Sequence, residues 1–298
     1  MNMRKFLFLL VFASFGLYAL AGTETHADGI VADILAEVAK LKAADPQAVP
    51  IAFWDFDGTV IKGDISTGLF KDDRETYPGL VRVAVEAGFS PIYRGPAGAT
   101  KFLYDDYERM KDFGRFLAWP AIGQMFHGAS VQDLGALCRS HADRVLKPWV
   151  FASSQKMIDA LAKAGVESQI VSGSPDVFVK NASHIANIPS ERAVGIRQKV
   201  VGGHLSTELV YPLSMNEGKI EVIREILQAR PHAVAVAAFG NSYWTDGPFL
   251  KYVATQSLPG GAKGTAVMVN GAGDDAGYRG FFRCVTQDEI CGKPVTAK

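Results

Sequence analysis

Apolar residues along this 298-residue chain change their period several times, and the changes mark out its elements. Ile30, Val31, Ile34, Leu35, Val38 and Leu41 recur at helical spacing, which predicts a helix over 26–42. Two prolines within 43–50 end it. Residues 51–56 then form a short apolar and aromatic run, as in a strand buried in a parallel sheet. The run is interrupted by Asp55 and followed at once by Asp57, Gly58 and Thr59. After Pro148 the pattern alternates. Helix is expected at 153–164, with Gly165 as its cap, strand at 167–171 and helix at 177–185. Strands around a Gly202-Gly203 turn cover 194–210, and a helix follows at 217–229. Further strands are expected at 233–239 and 265–269. A β-then-α order of this kind predicts an α/β fold with a doubly wound parallel sheet.

Residues 65–150 have a different texture. Tyr104, Tyr107, Trp119, Trp149 and eight other aromatics punctuate short amphipathic stretches broken by Gly and Pro. This reads as a mostly helical insertion, a small second domain that divides the α/β core into 22–64 and 151–298.

The first residues read as a leader. Arg4 and Lys5 precede an uncharged apolar stretch over 6–21 that ends in Ala19-Leu20-Ala21, a pattern suited to signal peptidase. The stretch is short for a bilayer span, so the expectation is export to the periplasm or medium, with no stable membrane association after cleavage. The whole chain balances 31 basic against 31 acidic residues. Removing 1–21 takes two of the basic ones, leaving 29 against 31, a net charge of −2. No basic run exists, which argues against nucleic acid as a partner. In an oxidising compartment Cys284 and Cys291 could close a short loop, leaving Cys138 buried; three unpaired thiols is the alternative. The Cys spacing and the six His match no zinc site. Oligomeric state is not legible.

Polar groups gather where strands or helices begin and end: Asp55, Asp57 and Thr59, then Ser172 and Gly173, then Lys219, then Asn241 and Asp246. Singly, each has an ordinary explanation, since Asp starts turns, Ser caps helices and Lys is usually solvated. In open α/β sheets, however, ligands bind beyond the carboxyl ends of strands. Breaking a phosphate ester calls for a nucleophile, an acid for the leaving oxygen and positive charge around the transferring group.

DFDGT, SGS, a helix-borne Lys in NEGK and GNSYWTD resemble, in order, the four motifs of the haloacid dehalogenase superfamily. The resemblance spans about 51–270. NEGK and the stretch PSERAVGIRQKVVGGHL are similar to the phosphoserine phosphatase branch. TDGPFL followed by GTAVMVN resembles the tail of the bacterial phosphorylcholine phosphatases. The resemblance implies a Rossmann-like core with a helical cap inserted after the first motif. It implies phosphomonoester hydrolysis, with Asp55 as nucleophile forming an aspartyl-phosphate and Asp57 as general acid and base. It implies phosphate contacts from Thr59, Ser172, Gly173 and Lys219. It also implies Mg²⁺ held by Asp55, the Asp57 carbonyl and the fourth motif, Asn241 and Asp246. The family usually has Asp where Asn241 stands, so weaker metal binding is expected. Asp64, nine residues after Asp55, matches the place of a substrate-binding acid and would face an amine; a helix-start Asp is the plainer account.

The substrate is accordingly expected to be a small phosphate ester, with phosphoserine and phosphocholine as candidates. Tyr104, Tyr107, Trp119 or Trp149 could cage a quaternary ammonium, or simply fill the insertion's core. A catalytically weak protein that binds phosphate ligands or a partner is the alternative, resting on Asn241. Carbon–halogen hydrolysis is disfavoured by Asp57.

Overall fold

A computed structural model describes the backbone of residues 11–72, 74–278 and 280–292, with side chains from Ala27 onward. The leader read over 1–21 therefore lies outside the described side chains. No helix among the described residues is long and apolar enough to cross a membrane.

The six-residue strand β1 (Val49–Trp54) is almost wholly buried and runs through the middle of a seven-stranded sheet. It pairs in parallel with β4 (Glu167–Pro175) on one side and β7 (Ala233–Ser242) on the other. Beyond β4 lies β5 (Ala193–Val201), also parallel, and then β6 (His204–Val210), the one antiparallel strand. Beyond β7 lie β8 (Thr265–Ala272) and β9 (Arg283–Val285), both parallel. The β5–β6 turn is Gly202-Gly203, both with positive φ, the conformation a two-residue hairpin loop of right-handed strands requires.

Alternation along β1 divides the core. Ile51 and Phe53 face α9 (Gly218–Gln228) and α10 (Gly247–Ala254), meeting Ile223, Phe249 and Leu250. Ala52 and Trp54 face the opposite layer, with Ile34 and Leu41 of α1 (Val11–Ala44) and Met157 of α7 (Ala152–Lys163). Helices on both faces explain why the strands carry apolar residues continuously. The Trp54 ring stacks on Phe239 of β7 at 3.7 Å, and its indole N–H donates to Ser168 Oγ of β4 at 3.2 Å. One side chain thus ties β1 to both of its neighbours in the sheet.

Between β1 and β4 the chain forms a two-stranded antiparallel sheet, β2 (Gly68–Lys71) and β3 (Arg74–Pro78). The helices α2 (Leu80–Glu86), α3 (Gly95–Lys101), α4 (Tyr107–Phe113), α5 (Arg115–Gln124) and α6 (Val131–His141) follow, and α5 lies against β4. The texture of 65–150 pointed to helices but not to the β2–β3 pair. Nor was β9 legible: its three residues are too few to establish a period, and register against β8 alone makes them a strand. The cysteine expectation resolves to unpaired thiols, with Cys138 buried and Cys284 and Cys291 exposed. Cys284 lies on β9, while Cys291 is held by its N–H to Val150 O.

Candidate active site

Four segments converge at the carboxyl ends of β1, β4 and β7. Asp55 extends the β1–β7 pairing by one bond, its N–H donating to Phe239 O at 2.8 Å. The next residues turn sharply, with the N–H groups of Val60 and Ile61 both returning to Phe56 O. Gly58 takes φ 75° in that turn, and a β-carbon there would lie 2.0 Å from Asn241 Nδ2. The first segment and the end of β7 are therefore in direct contact, and only glycine fits between them.

Lys219, near the start of α9, is fully buried. Its Nζ lies 2.7 Å from Asp55 Oδ1 and 2.7 Å from Asp246 Oδ1. Asp246 is itself buried, and its other oxygen accepts the N–H groups of Asn241 and Ser242, both at 2.9 Å. Gly240 makes room for that carboxylate to fold beneath the strand end, since a β-carbon there would meet Asp246 Cβ at 2.5 Å. Burial alone would depress Lys219, but the carboxylates of Asp246 and Asp55 outweigh it and raise its pKa, so it is a fixed cation.

Asp57 is held differently. Its Oδ1 accepts the Ile65 N–H at 2.6 Å, and its Oδ2 accepts Ser174 Oγ at 2.7 Å and, more distantly, Ser172 Oγ at 3.4 Å. Ser66 Oγ lies 3.1 Å from Ser174 Oγ. Asp64 Oδ1 accepts the N–H groups of Ser66 and Thr67, both at 2.7 Å, so this residue closes a turn ahead of β2 and does not start a helix.

Burial, reinforced by the nearby Asp246, pushes Asp55 up to about 7 against the pull of Lys219. Burial, with Asp64 and Asp55 adding repulsion, raises Asp57 well above the usual carboxylate range. Burial raises Asp64 as well. Two acids two residues apart thus differ in kind: Asp55 has a permanent cation on one oxygen, whereas Asp57 has none.

These groups face a cavity of about 330 Å³. Asp55, Asp57, Asp64, Gly173, Asn241 and Asp246 all line it. Thr59, Ser172 and Lys219 stand behind the wall. Thr59 Oγ1 donates to Asp55 Oδ2 at 3.3 Å, and Ser172 accepts the Ser174 N–H on its hydroxyl at 3.1 Å and Ser214 Oγ on its carbonyl at 2.6 Å. Of the two serines of SGS, it is Ser174 and not Ser172 that lies on the wall. Its signal was present, because residues two apart on a strand share a face and SGS repeats Ser at that spacing.

Tyr107, Lys111, Arg115, Trp119 and Ile122 close the cavity from α4 and α5. The Trp119 ring lies against Gly173, where a β-carbon would fall 2.7 Å from it. Of the four aromatics considered for a cage, only Tyr107 and Trp119 line the cavity. Trp149 is buried against Tyr77 at 5.5 Å, and Tyr104 is 48% exposed beside Phe70.

The donors on the wall are hard oxygens, which suit Mg²⁺ or Ca²⁺ over zinc. Asp57 and Asp64 bond to backbone or hydroxyl groups and to no basic side chain. Among the described residues there is no metal-holding group of three or more His, Cys, Asp or Glu. Asn241 is neutral, and Asp246 is already engaged by Lys219 and two amides.

The sequence matches the family model for haloacid dehalogenase-like hydrolases over residues 52–251. No curated protein sequence matches it. Among solved structures it is similar to a protein of unknown function from Bordetella pertussis Tohama I, at 14% identity and a TM-score of 0.59, covering 80% of this chain and 99% of that one. A functionally unknown protein from Anaerococcus prevotii DSM 20548 is similar at 12% identity and a TM-score of 0.52, covering 80% and 86%. A probable phosphoserine phosphatase from Vibrio cholerae aligns at 14% identity and a TM-score of 0.47, covering 80% and 62%. At these identities the likeness is one of fold alone.

Proposed function

The chain belongs to the haloacid dehalogenase-like hydrolase family, and on that premise we propose that it is a Mg²⁺-dependent phosphomonoesterase acting on a small phosphate ester. The observation that carries this reading is the unequal pair Asp55 and Asp57 in one cavity. Lys219 holds Asp55 Oδ1, which leaves Oδ2 to attack phosphorus. As the Oδ2–P bond forms, the bond from phosphorus to the leaving oxygen breaks, and Asp57 gives that oxygen its proton. Asp57, now ionised, then takes a proton from the water that attacks the aspartyl-phosphate. The Oδ2–P bond breaks, and inorganic phosphate leaves. The raised pKa of Asp57 suits an acid that must still carry its proton near neutrality.

Ser174 keeps Asp57 aimed, and Thr59 orients Asp55. The Gly173 segment frames the phosphate, with Ser172 supporting it from behind the wall and Lys219 supplying fixed positive charge. Asp55, the Asp57 carbonyl and Asn241 would hold Mg²⁺, with Asp246 behind them. Bound there, the ion would offset the repulsion between Asp55 and the phosphate. Residues 65–150 act as the cap over the core of 22–64 and 151–298. Asp64, with Tyr107 and Trp119 on the same wall, suits an amine on the ester, as in phosphoserine or phosphocholine. The leader implies an exported, periplasmic or secreted enzyme.

The test is hydrolysis of p-nitrophenyl phosphate with and without Mg²⁺, beside the Asp55→Asn variant. Metal-dependent release that is lost in the variant is expected. Asn241 favours one second reading, a phosphate-binding protein of weak activity. Absence of turnover across several divalent metals would select it.

A further inference from the structure

A second cavity, of about 420 Å³, adjoins the first, and Arg115 and Ser242 line both. Tyr243, Trp244 and Tyr278 form its aromatic walls, with Ala272 to Asp274 along one side. The volume exceeds what a phosphate group needs and lies within the range of small-molecule sites. It is also built. The Tyr278 ring packs over Gly247, where a β-carbon would fall 2.6 Å from it, so a residue without a side chain admits the ring. Tyr243, Tyr278 and Phe282 form a ladder with centroids 5.6–6.5 Å apart and planes within 29° of one another.

Arg115 is the second observation. Its guanidinium lies 4.7 Å from the centre of the Trp244 ring. Among the described residues no carboxylate pairs with it, although Asp and Glu are as numerous in the chain as Lys and Arg. A planar cation stacked on one aromatic face presents its other face for a second planar group. Phe116, whose ring lies 5.6 Å from Trp244, remains 58% exposed. Rings on several sides, a stacked guanidinium and one carboxylate, Asp274, at the edge fit a flat, hydrogen-bonding ring better than a sugar or a short aliphatic chain.

We propose that the second cavity is a leaving-group subsite, and that the preferred ester joins its phosphate to an alcohol bearing a flat aromatic or heteroaromatic ring. This rests on the phosphomonoesterase reading above. It sets aside the ringless phosphoserine and phosphocholine, while an amine facing Asp64 stays compatible with it, because Asp64 lines the first cavity only.

Adenosine 5′-monophosphate and glycerol 3-phosphate separate the possibilities. The ratio of their kcat/KM values should favour the ring-bearing ester by about tenfold, the scale on which one aromatic stacking contact acts. It should fall towards one in Tyr278→Ala and in Arg115→Gln. A ratio near one in the unaltered protein, or one that neither substitution moves, overturns the subsite and leaves the phosphatase reading standing. If neither ester is hydrolysed, turnover of p-nitrophenyl phosphate decides the phosphatase reading separately, and calorimetric binding of the same two compounds decides the subsite. Tighter binding of the ring-bearing ester, lost in Tyr278→Ala, upholds it; equal binding overturns it.

Discussion

Lys219 Nζ and Asp246 Oδ1 are 2.7 Å apart, and neither residue is exposed to solvent. The ion pair joins the start of α9 to the start of α10 and completes its hydrogen bonding through Asp55 and two backbone amides. Asp246 therefore first anchors the lysine that holds the proposed nucleophile. Replacing Lys219 by Met should abolish phosphatase activity. It should also cost about 3–5 kcal/mol of stability in urea unfolding at neutral pH, because two buried carboxylates lose their cation. Full stability in the variant would mean that the triad contributes nothing to folding.

Asn241 places a neutral amide against the turn that carries Asp57. Asn241→Asp restores a carboxylate at that point and should lower half-saturating Mg²⁺ by about tenfold, since ligand charge tunes affinity for hard cations. Mg²⁺ titration of initial rates reads this directly. An unchanged half-saturation would show that the position does not touch the metal.

Ser174→Ala removes the 2.7 Å hydrogen bond to Asp57. The kcat should fall by about tenfold, a part of the roughly 10²–10⁴-fold that general acid catalysis supplies. The loss should be larger for an alkyl ester than for p-nitrophenyl phosphate, whose leaving group needs little protonation. Equal losses on both esters would place Ser174 outside the proton transfer.

Gly173→Ala pushes a methyl group into the Trp119 ring. Overpacking of this kind costs about 1–3 kcal/mol. Adding Trp119→Leu should recover most of that loss, and the double-mutant cycle measures the coupling. Strict additivity would mean that α5 does not rest on this end of β4 in solution.

His141 is buried, and its Nε2–H donates to Pro78 O at 2.9 Å. Burial, with Arg144 adding to it, lowers its pKa from 6.5 to about 4. The unfolded chain thus binds more protons between those values. Stability is full above about pH 6.5 and falls as pH drops towards 4, by roughly 3 kcal/mol in all. His141→Gln should flatten this slope in urea unfolding between pH 4 and 7; an unchanged slope would assign the acid sensitivity to other groups.

Much of the architecture was legible along the chain. The strands at β1, β4, β7 and β8 end within a few residues of their expected limits, because a continuous apolar run bounded by Gly, Ser or Asp can hardly be anything else in a parallel sheet. The β2–β3 pair and β9 were not legible, being short, partly exposed and dependent on partners distant in sequence. In the site, Asp55, Asp57 and Lys219 stood out by type and spacing. Ser174, Arg115 and Trp244 did not, since their importance lies in what faces them across the fold.

The sequence by itself determined the sheet's core strands, the family and the order of the polar segments, because local periodicity and motif spacing are properties of neighbouring residues. Only the tertiary structure decided that Lys219 is shared between two acids. It alone decided that Ser174 and not Ser172 lies on the cavity wall, and that Trp119 rests on Gly173 while Trp149 is buried in the core. Those outcomes depend on which side chains meet through space across gaps of 27 to 164 residues, and on how much water burial removes from them.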